Sequence, residues 1–332
     1  MGWWQISADT LAGSRFVISP LTETTACLLM LERGSAAHPG ERRWLDAHQD
    51  DYRRYVKEHP DVPWLIRFCL GRCWIPGVIT VVPASSDELD FGDEIGQITG
   101  LSPDFVAADL GAAGVREYPS DLPRKAAELL EWVWENTVLP YWPERRKIIE
   151  ADVVARTTQL GRGGWAQALS DMRPDMRWLG EGRLQINAFE NPPREISGAQ
   201  LLFVPVTPKT GWVAWDEPYR YAVMYPCSGA LADPGRRAAA PETLGALLGP
   251  ARAAILMLLV TPKTTTQLVA LTGQRLGSVG RHLQILRAAG LLERRRVGRS
   301  VLYRRSPAGD LLVRIQSEGR YASASASGIA CS

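Results

Sequence analysis

Between residues 280 and 305 the chain reads GRHLQILRAAGLLERRRVGRSVLYRR, with eight arginines and a single acid, Glu293. A guanidinium is planar, permanently charged and rich in N–H donors, which suits phosphate oxygens and the O6/N7 edge of guanine. The whole chain carries a formal charge of only +2, so the concentration is local. Residues 241–332 hold 13 basic and 4 acidic residues, a balance of +9, whereas residues 1–240 hold 25 and 32, a balance of −7. A basic module joined to a larger acidic one points to a polyanion as partner of the basic part. A charge run taken alone is ordinarily a solvated face. Here the arginines are interleaved with leucines, so the elements that carry them decide the matter.

Other residues with chemical potential are fewer. Cys69 and Cys73 stand four apart in CLGRC, a spacing suited to a soft metal or a thiol switch, but their neighbours Leu65, Ile66, Phe68 and Leu70 are apolar. Buried structural cysteine is the stronger reading. DELDFGDE (87–94) has five carboxylates but no calcium-loop spacing, and reads as a solvated acidic loop. Four histidines and no nucleophile-elbow, phosphate-loop or dinucleotide motif leave little for an enzyme to use. Of the 12 tryptophans, seven crowd residues 130–215. Core packing accounts for most of them. The sharper alternative is an aromatic pocket for a small planar effector, built from Trp132, Tyr141, Trp142, Trp178 and Trp215, with Arg156 or Glu150 as polar anchor.

The elements that must position these residues fall into two sets. GWWQIS reads as a short strand, and TETTACLLMLERG as a helix ending at Gly34. Residues 41–59, WLIRFCLGRC (64–73), SPDFVAADL (102–110), a stretch from Ser120 or Asp121, and ERRKIIEADVVARTTQLG read as helices, the last stopped at Gly161; GGWAQALSDM follows as another. VITVVPASS reads as extended. The period then changes: MRWLGEGRLQIN is a hairpin around Gly-Glu-Gly, and AQLLFVPV and WVAWDEPYRYAVMYP are strand-like.

In the basic part, ALLGPARAAILMLLV reads as one apolar helix, TTTQLVALTG as a short one, and QRLGSVGRHLQILRAAG as a third ending at Gly290. The last two make a helix-turn-helix. Val279, Leu283 and Leu286 form the inward stripe of the third helix. Gln274, Arg275, Gly277, Ser278, Arg281, His282 and Gln284 are then left to meet a major groove. LLERRRV and SVLYRR form a hairpin around Gly298 and Arg299. That hairpin is a wing projecting Arg294, Arg295, Arg296, Arg299, Arg304 and Arg305 at phosphates, with Arg299 at the tip.

SVGRHLQILRAAGLL together with ERRRVGRSVLYR resembles the ArsR/SmtB-type winged helix-turn-helix regulators, over roughly a quarter of the chain. The resemblance implies a dimer packed through the helix before the motif (246–260) and the one after the wing (307–317). Gly280 stands where that family commonly has Ser, and Arg275 where a Ser or Thr cap is common. The metal sensors' Cys, Asp and His ligands are missing from the matching positions, so no metal is expected. SRFVISPLTET (14–24) and YWPERRKIIEADVVARTTQLGRGG (141–164) resemble an uncharacterised domain fused in front of such winged helices, which brings no known activity.

The expected fold is mainly α with small β-sheets (α+β). A mostly helical sensor or dimerisation domain spans 1–231, with one short antiparallel sheet near 176–226. A linker (232–243), the winged helix (244–318) and a disordered tail (319–332) follow. The expected function is a dimeric repressor on a near-palindromic double-stranded DNA operator, with a small-molecule effector in the first domain and no cofactor. The alternative is a winged helix used for protein–protein contact. With neither a signal peptide nor an apolar run of about 18 residues, a cytoplasmic, nucleoid-associated location without membrane contact is expected.

Overall fold

The computed structural model describes residues 2–69, 75–84, 89–112, 114–169, 172–188, 191–228, 242–259, 262–272, 274, 276–297 and 300–314. Arg275, Arg299, Cys73, most of the expected linker and the expected tail lie outside these. The chain divides into two compact units, Met1–Ala232 and Asp233–Ser332. Both combine helices with small sheets, so the architecture is mixed α and β.

The first unit begins with β1 (Gly2–Gln5), α1 (Ala8–Ala12) and β2 (Arg15–Phe16), then runs through α2 (Pro20–Arg33), α3 (Pro39–Glu58), α4 (Val62–Cys69), α5 (Phe91–Thr99), α6 (Pro103–Ala112) and α7 (Leu122–Val133). One π turn and one 3-10 turn lead into α8 (Trp142–Leu169). The strands β3 (Arg177–Gly180), β4 (Arg183–Asn187), β5 (Arg194–Glu195), β6 (Gln200–Val206), β7 (Val213–Asp216) and β8 (Arg220–Pro226) follow. The helix α2 is its axis. Ser19 caps it, accepting from Thr22 N at 2.9 Å, Pro20 opens it, and Gly34 closes it in a left-handed conformation. Every residue from Pro20 to Leu31 is buried, the polar Thr22, Glu23, Thr24 and Thr25 included, as expected of a helix at the centre of a core, and α3, α5 and α7 pack around it.

Two buried acids tie this helix to the rest. Glu23 accepts from Arg145 Nη1 at 2.7 Å and from Thr207 N at 2.8 Å, and the Arg145 guanidinium lies 5.0 Å from the centre of the Trp44 ring. The stretches 14–24 and 141–164, far apart in sequence, meet through this pair. Glu94 of α5 accepts from Ser19 Oγ at 2.6 Å and Leu21 N at 2.9 Å, and burial pushes its carboxyl up to about 7. This corrects the expected solvated acidic loop at Glu94; Asp90 and Asp93 are exposed, and Asp87 and Glu88 lie outside the described residues. Asp90 is the cap of α5 and Glu94 is interior, because the start of α2 offers unpaired backbone donors that a carboxylate satisfies.

The expected single antiparallel sheet is also corrected. The described residues of the first unit form two four-stranded sheets, β3-β4-β1-β5 and β2-β6-β8-β7, each recruiting a strand from the first 16 residues. The strands β6 and β8 run parallel, with β7 antiparallel on the outer side of β8. Both central strands are buried almost throughout, the pattern of a strand covered on both faces. Residues 78–84 form a turn and irregular chain rather than a strand. Asp109 holds that turn by accepting from Gly77 N at 2.6 Å, and burial pushes its carboxyl up to about 6. Gly161 does not stop its helix. The break comes at Gly164 (φ 66°, ψ −171°), a conformation open essentially to glycine alone.

The second unit contains α9 (Glu242–Leu248), α10 (Pro250–Leu258), β9 (Lys263–Thr264), α11 (Thr265–Thr272), α12 (Leu276–Ala288), β10 (Leu292–Val297) and β11 (Ser300–Arg305), then helical residues 307–314. Gly249, at φ 82°, with Pro250 behind it splits the expected single apolar helix in two. Thr264 and Gln267 cap α11 reciprocally: Gln267 N donates to Thr264 Oγ1 at 3.2 Å and Thr264 N to Gln267 Oε1 at 2.8 Å. The strands form one antiparallel sheet in the order β10-β11-β9.

Candidate nucleic-acid interface

Helix α12 has one buried and one open side. Val279, Leu283 and Leu286 are buried, and α10, α11 and β10 pack against the helix. Gly277, Ser278, Arg281 and Gln284 face solvent, while His282 is half-buried. Ser278 Oγ lies 3.2 Å from Gln274 Oε1 and 3.3 Å from His282 Nε2. Three residues expected to meet DNA are therefore linked along one helix face at successive turns. The sequence reading missed two exposed apolar residues on α12, Leu276 and Ile285. A helical wheel drawn from the buried stripe would have placed Ile285 outward.

The two strands β10 and β11 pair in unbroken register. Leu292 pairs with Arg305, Glu293 with Arg304, Arg294 with Tyr303, Arg295 with Leu302 and Arg296 with Val301. Arg294, Arg295 and Arg296 are exposed. Because strand side chains alternate, Arg294 and Arg296 emerge on one face of the ribbon and Arg295 on the other. Arg304 is exposed but ion-paired across the strands with Glu293, its Nε donating at 2.7 Å. Arg305 departs from the expected projection: its side chain is 10% exposed and pairs with Asp310 at 2.9 Å. It belongs to the hairpin's base. Lys263 of β9 sits close by, and burial followed by the Arg305 charge lowers its ammonium to about 8.

In the first unit the six expected pocket residues are dispersed. Trp132 stacks on Tyr55 at 4.4 Å, and Trp142 meets Trp134 edge-on at 5.6 Å. Tyr141 lies on the surface against His48. Trp178 and Trp215 pack on a different hydrophobic cluster, that of β4, β6 and β8, and Arg194 covers Trp215 at 4.2 Å. Arg156 is buried, with Asp152 at 3.8 Å, Ser228 Oγ at 3.2 Å and Tyr225 beneath its guanidinium. Glu150 pairs with Arg146 on the surface. A cleft of about 160 Å³ opens elsewhere, between Met30, Arg33, Glu41, Lys209 and Thr210, and contains none of the six.

Cys27 and Cys227 are fully buried, and burial raises both thiols well above their ordinary value, which leaves them inert as nucleophiles. The Cys69 side chain and Cys73 lie outside the described residues. Among the described residues no group of three or more His, Cys, Asp or Glu is placed to hold a metal ion. No helix among them is long and apolar enough to cross a membrane. Compared with protein-family models, curated proteins and solved structures, the chain matches none.

Proposed function

We propose that the chain is a sequence-specific regulator of transcription whose second unit is a winged helix-turn-helix. In this reading α11 and α12 are the helix-turn-helix, β10 and β11 the wing. The carrying observation is the exposed face of α12, with Arg281 and small residues, in one unit with a hairpin exposing Arg294, Arg295 and Arg296. Arginines on the ribbon suit phosphates, and a helix with a small-residue front suits a major groove. The protein acts as a homodimeric repressor on a near-palindromic operator, its half-sites one helical turn or a multiple apart. It works in the cytoplasm on the nucleoid, and the first unit sets dimer geometry or binds a small-molecule effector. An effector regulates only by preferring one of two poses of the DNA-binding units.

The test is fluorescence anisotropy of the full chain on its own upstream promoter DNA against a random duplex of equal length, across a salt titration. A specific excess of about a thousandfold with a steep salt slope is expected. The exposed Leu276 and Ile285 favour a second reading, a module for protein contact. Weak binding equal on both duplexes would put that reading ahead.

A further inference from the structure

We infer that Leu276 is a specificity-determining residue of this DNA interface, reading the 5-methyl group of a thymine in the half-site where Arg281 reads a guanine. The inference rests on the DNA-binding reading above and names base chemistry which that reading leaves open.

Leu276 opens α12 with 62% of its surface exposed, although three other apolar residues of the same helix are buried. The second unit therefore does not use it as core. Five residues separate it from Arg281, which places the two side chains about 140° apart around the helix and about 7.5 Å apart along it. In the sector between them lie Gly280 and Gly277. A Cβ built on either would meet nothing within 4 Å, so packing within the chain does not require glycine at either place. Glycine nevertheless weakens a helix relative to alanine. Over these first turns the sector thus carries only small residues between one apolar and one cationic flank, with the exposed Gln284 standing over it further along the helix.

The charge around it selects the occupant. Residues 241–332 carry +9, and Arg294, Arg295 and Arg296 are exposed on the neighbouring hairpin, which favours a polyanion over a neutral or basic protein surface. Among base edges in the major groove, only thymine offers a methyl group, and arginine pairs best with guanine O6 and N7. With base steps of about 3.4 Å, a rise of about 7.5 Å sets the two base pairs about two steps apart.

The experiment selects duplexes from a random pool with the full-length protein, then replaces each selected thymine singly by deoxyuridine, which deletes only the methyl. One thymine per half-site, about two steps from a selected guanine, is expected to show a loss of about fourfold, the worth of one buried methyl. Leu276→Ala should bind the thymine and uracil duplexes equally. Leu276→Gln should move the selected base at that position towards adenine, and thermal melts should show both variants folded. Methyl dependence at no selected thymine, or its survival in Leu276→Ala, would overturn the assignment. A selection that enriches no sequence would overturn the DNA-binding reading as well, and is distinguishable from enrichment without methyl dependence.

Discussion

Arg304 and Arg305 are adjacent in the chain and face opposite sides of one strand. Arg305 turns to Asp310 and the base of the sheet; Arg304 is exposed but engaged with Glu293. Glu293 is the only acid of the hairpin. Glu293→Gln should therefore free Arg304 and strengthen binding to any duplex, steepening the salt dependence by about one phosphate contact. Anisotropy at several salt concentrations reads this, and an unchanged slope would place Arg304 away from phosphates. Arg281 and Arg295 should behave differently from each other. Arg281→Ala should relax base preference by about 1–3 kcal/mol on the cognate site, whereas Arg295→Ala should weaken all sequences and lower the salt slope by about 1. Equal losses on cognate and random DNA for Arg281→Ala would contradict its role as a base reader.

Glycine spacing decides where α8 breaks. The sequence reading stops this helix at Gly161 and starts another at Gly163. The backbone shows that only Gly164 takes a positive φ there. Gly164→Ala should destabilise the first unit by about 1–3 kcal/mol through backbone strain alone, since a Cβ there would touch nothing within 4 Å. Gly161→Ala, within the helix and equally open, should stabilise by up to about 1 kcal/mol. Urea unfolding of the two variants should move the midpoint in opposite directions. The reverse pattern, with Gly161→Ala destabilising and Gly164→Ala stabilising, would mean that the break is at Gly161. In the second unit the same rule applies at Gly249, where a left-handed glycine followed by proline turns one apolar run into two helices.

At the scale of the whole molecule, two interior carboxyls shape the response to pH. Glu94 titrates near 7 and Asp109 near 6, both raised first by burial. The folded chain thus holds protons that the unfolded chain releases near its ordinary carboxylate values. Their stabilisation is complete below an ordinary value of 4.5 for Glu94 and 3.8 for Asp109, and is lost as pH rises through about 6 and then about 7. Thermal melts should show this part of the stability falling between those limits, and Glu94→Gln should flatten it. An unchanged slope in that variant would assign the effect to other groups. The charge division between the units, −7 for residues 1–240 and +9 for residues 241–332, acts on a different observable. Under the proposed function it should confine polyanion binding to the basic part and make that binding salt-dependent.

The sequence by itself determined what short-range periodicity and turn chemistry encode. The helix ending at Gly34, the hairpin at Gly180, Glu181 and Gly182, the inward stripe of Val279, Leu283 and Leu286, and the arginine hairpin were all readable, because each needs only its own few residues. Tertiary structure decided the rest. That Trp4 would join a sheet with Leu184, and Phe16 one with Phe203, depends on pairings across almost the whole first unit. That Glu23 would meet Arg145, and Glu94 the cap of α2, depends on which donors the folded chain leaves without water. The six aromatic and polar residues expected to converge do not: packing puts Trp132 and Trp142 on one core and Trp178 and Trp215 on another, leaves Tyr141 at the surface and pairs Arg156 with Asp152. Leu276 is the remaining case. Its type is apolar, and only the fold shows that 62% of its surface stays exposed.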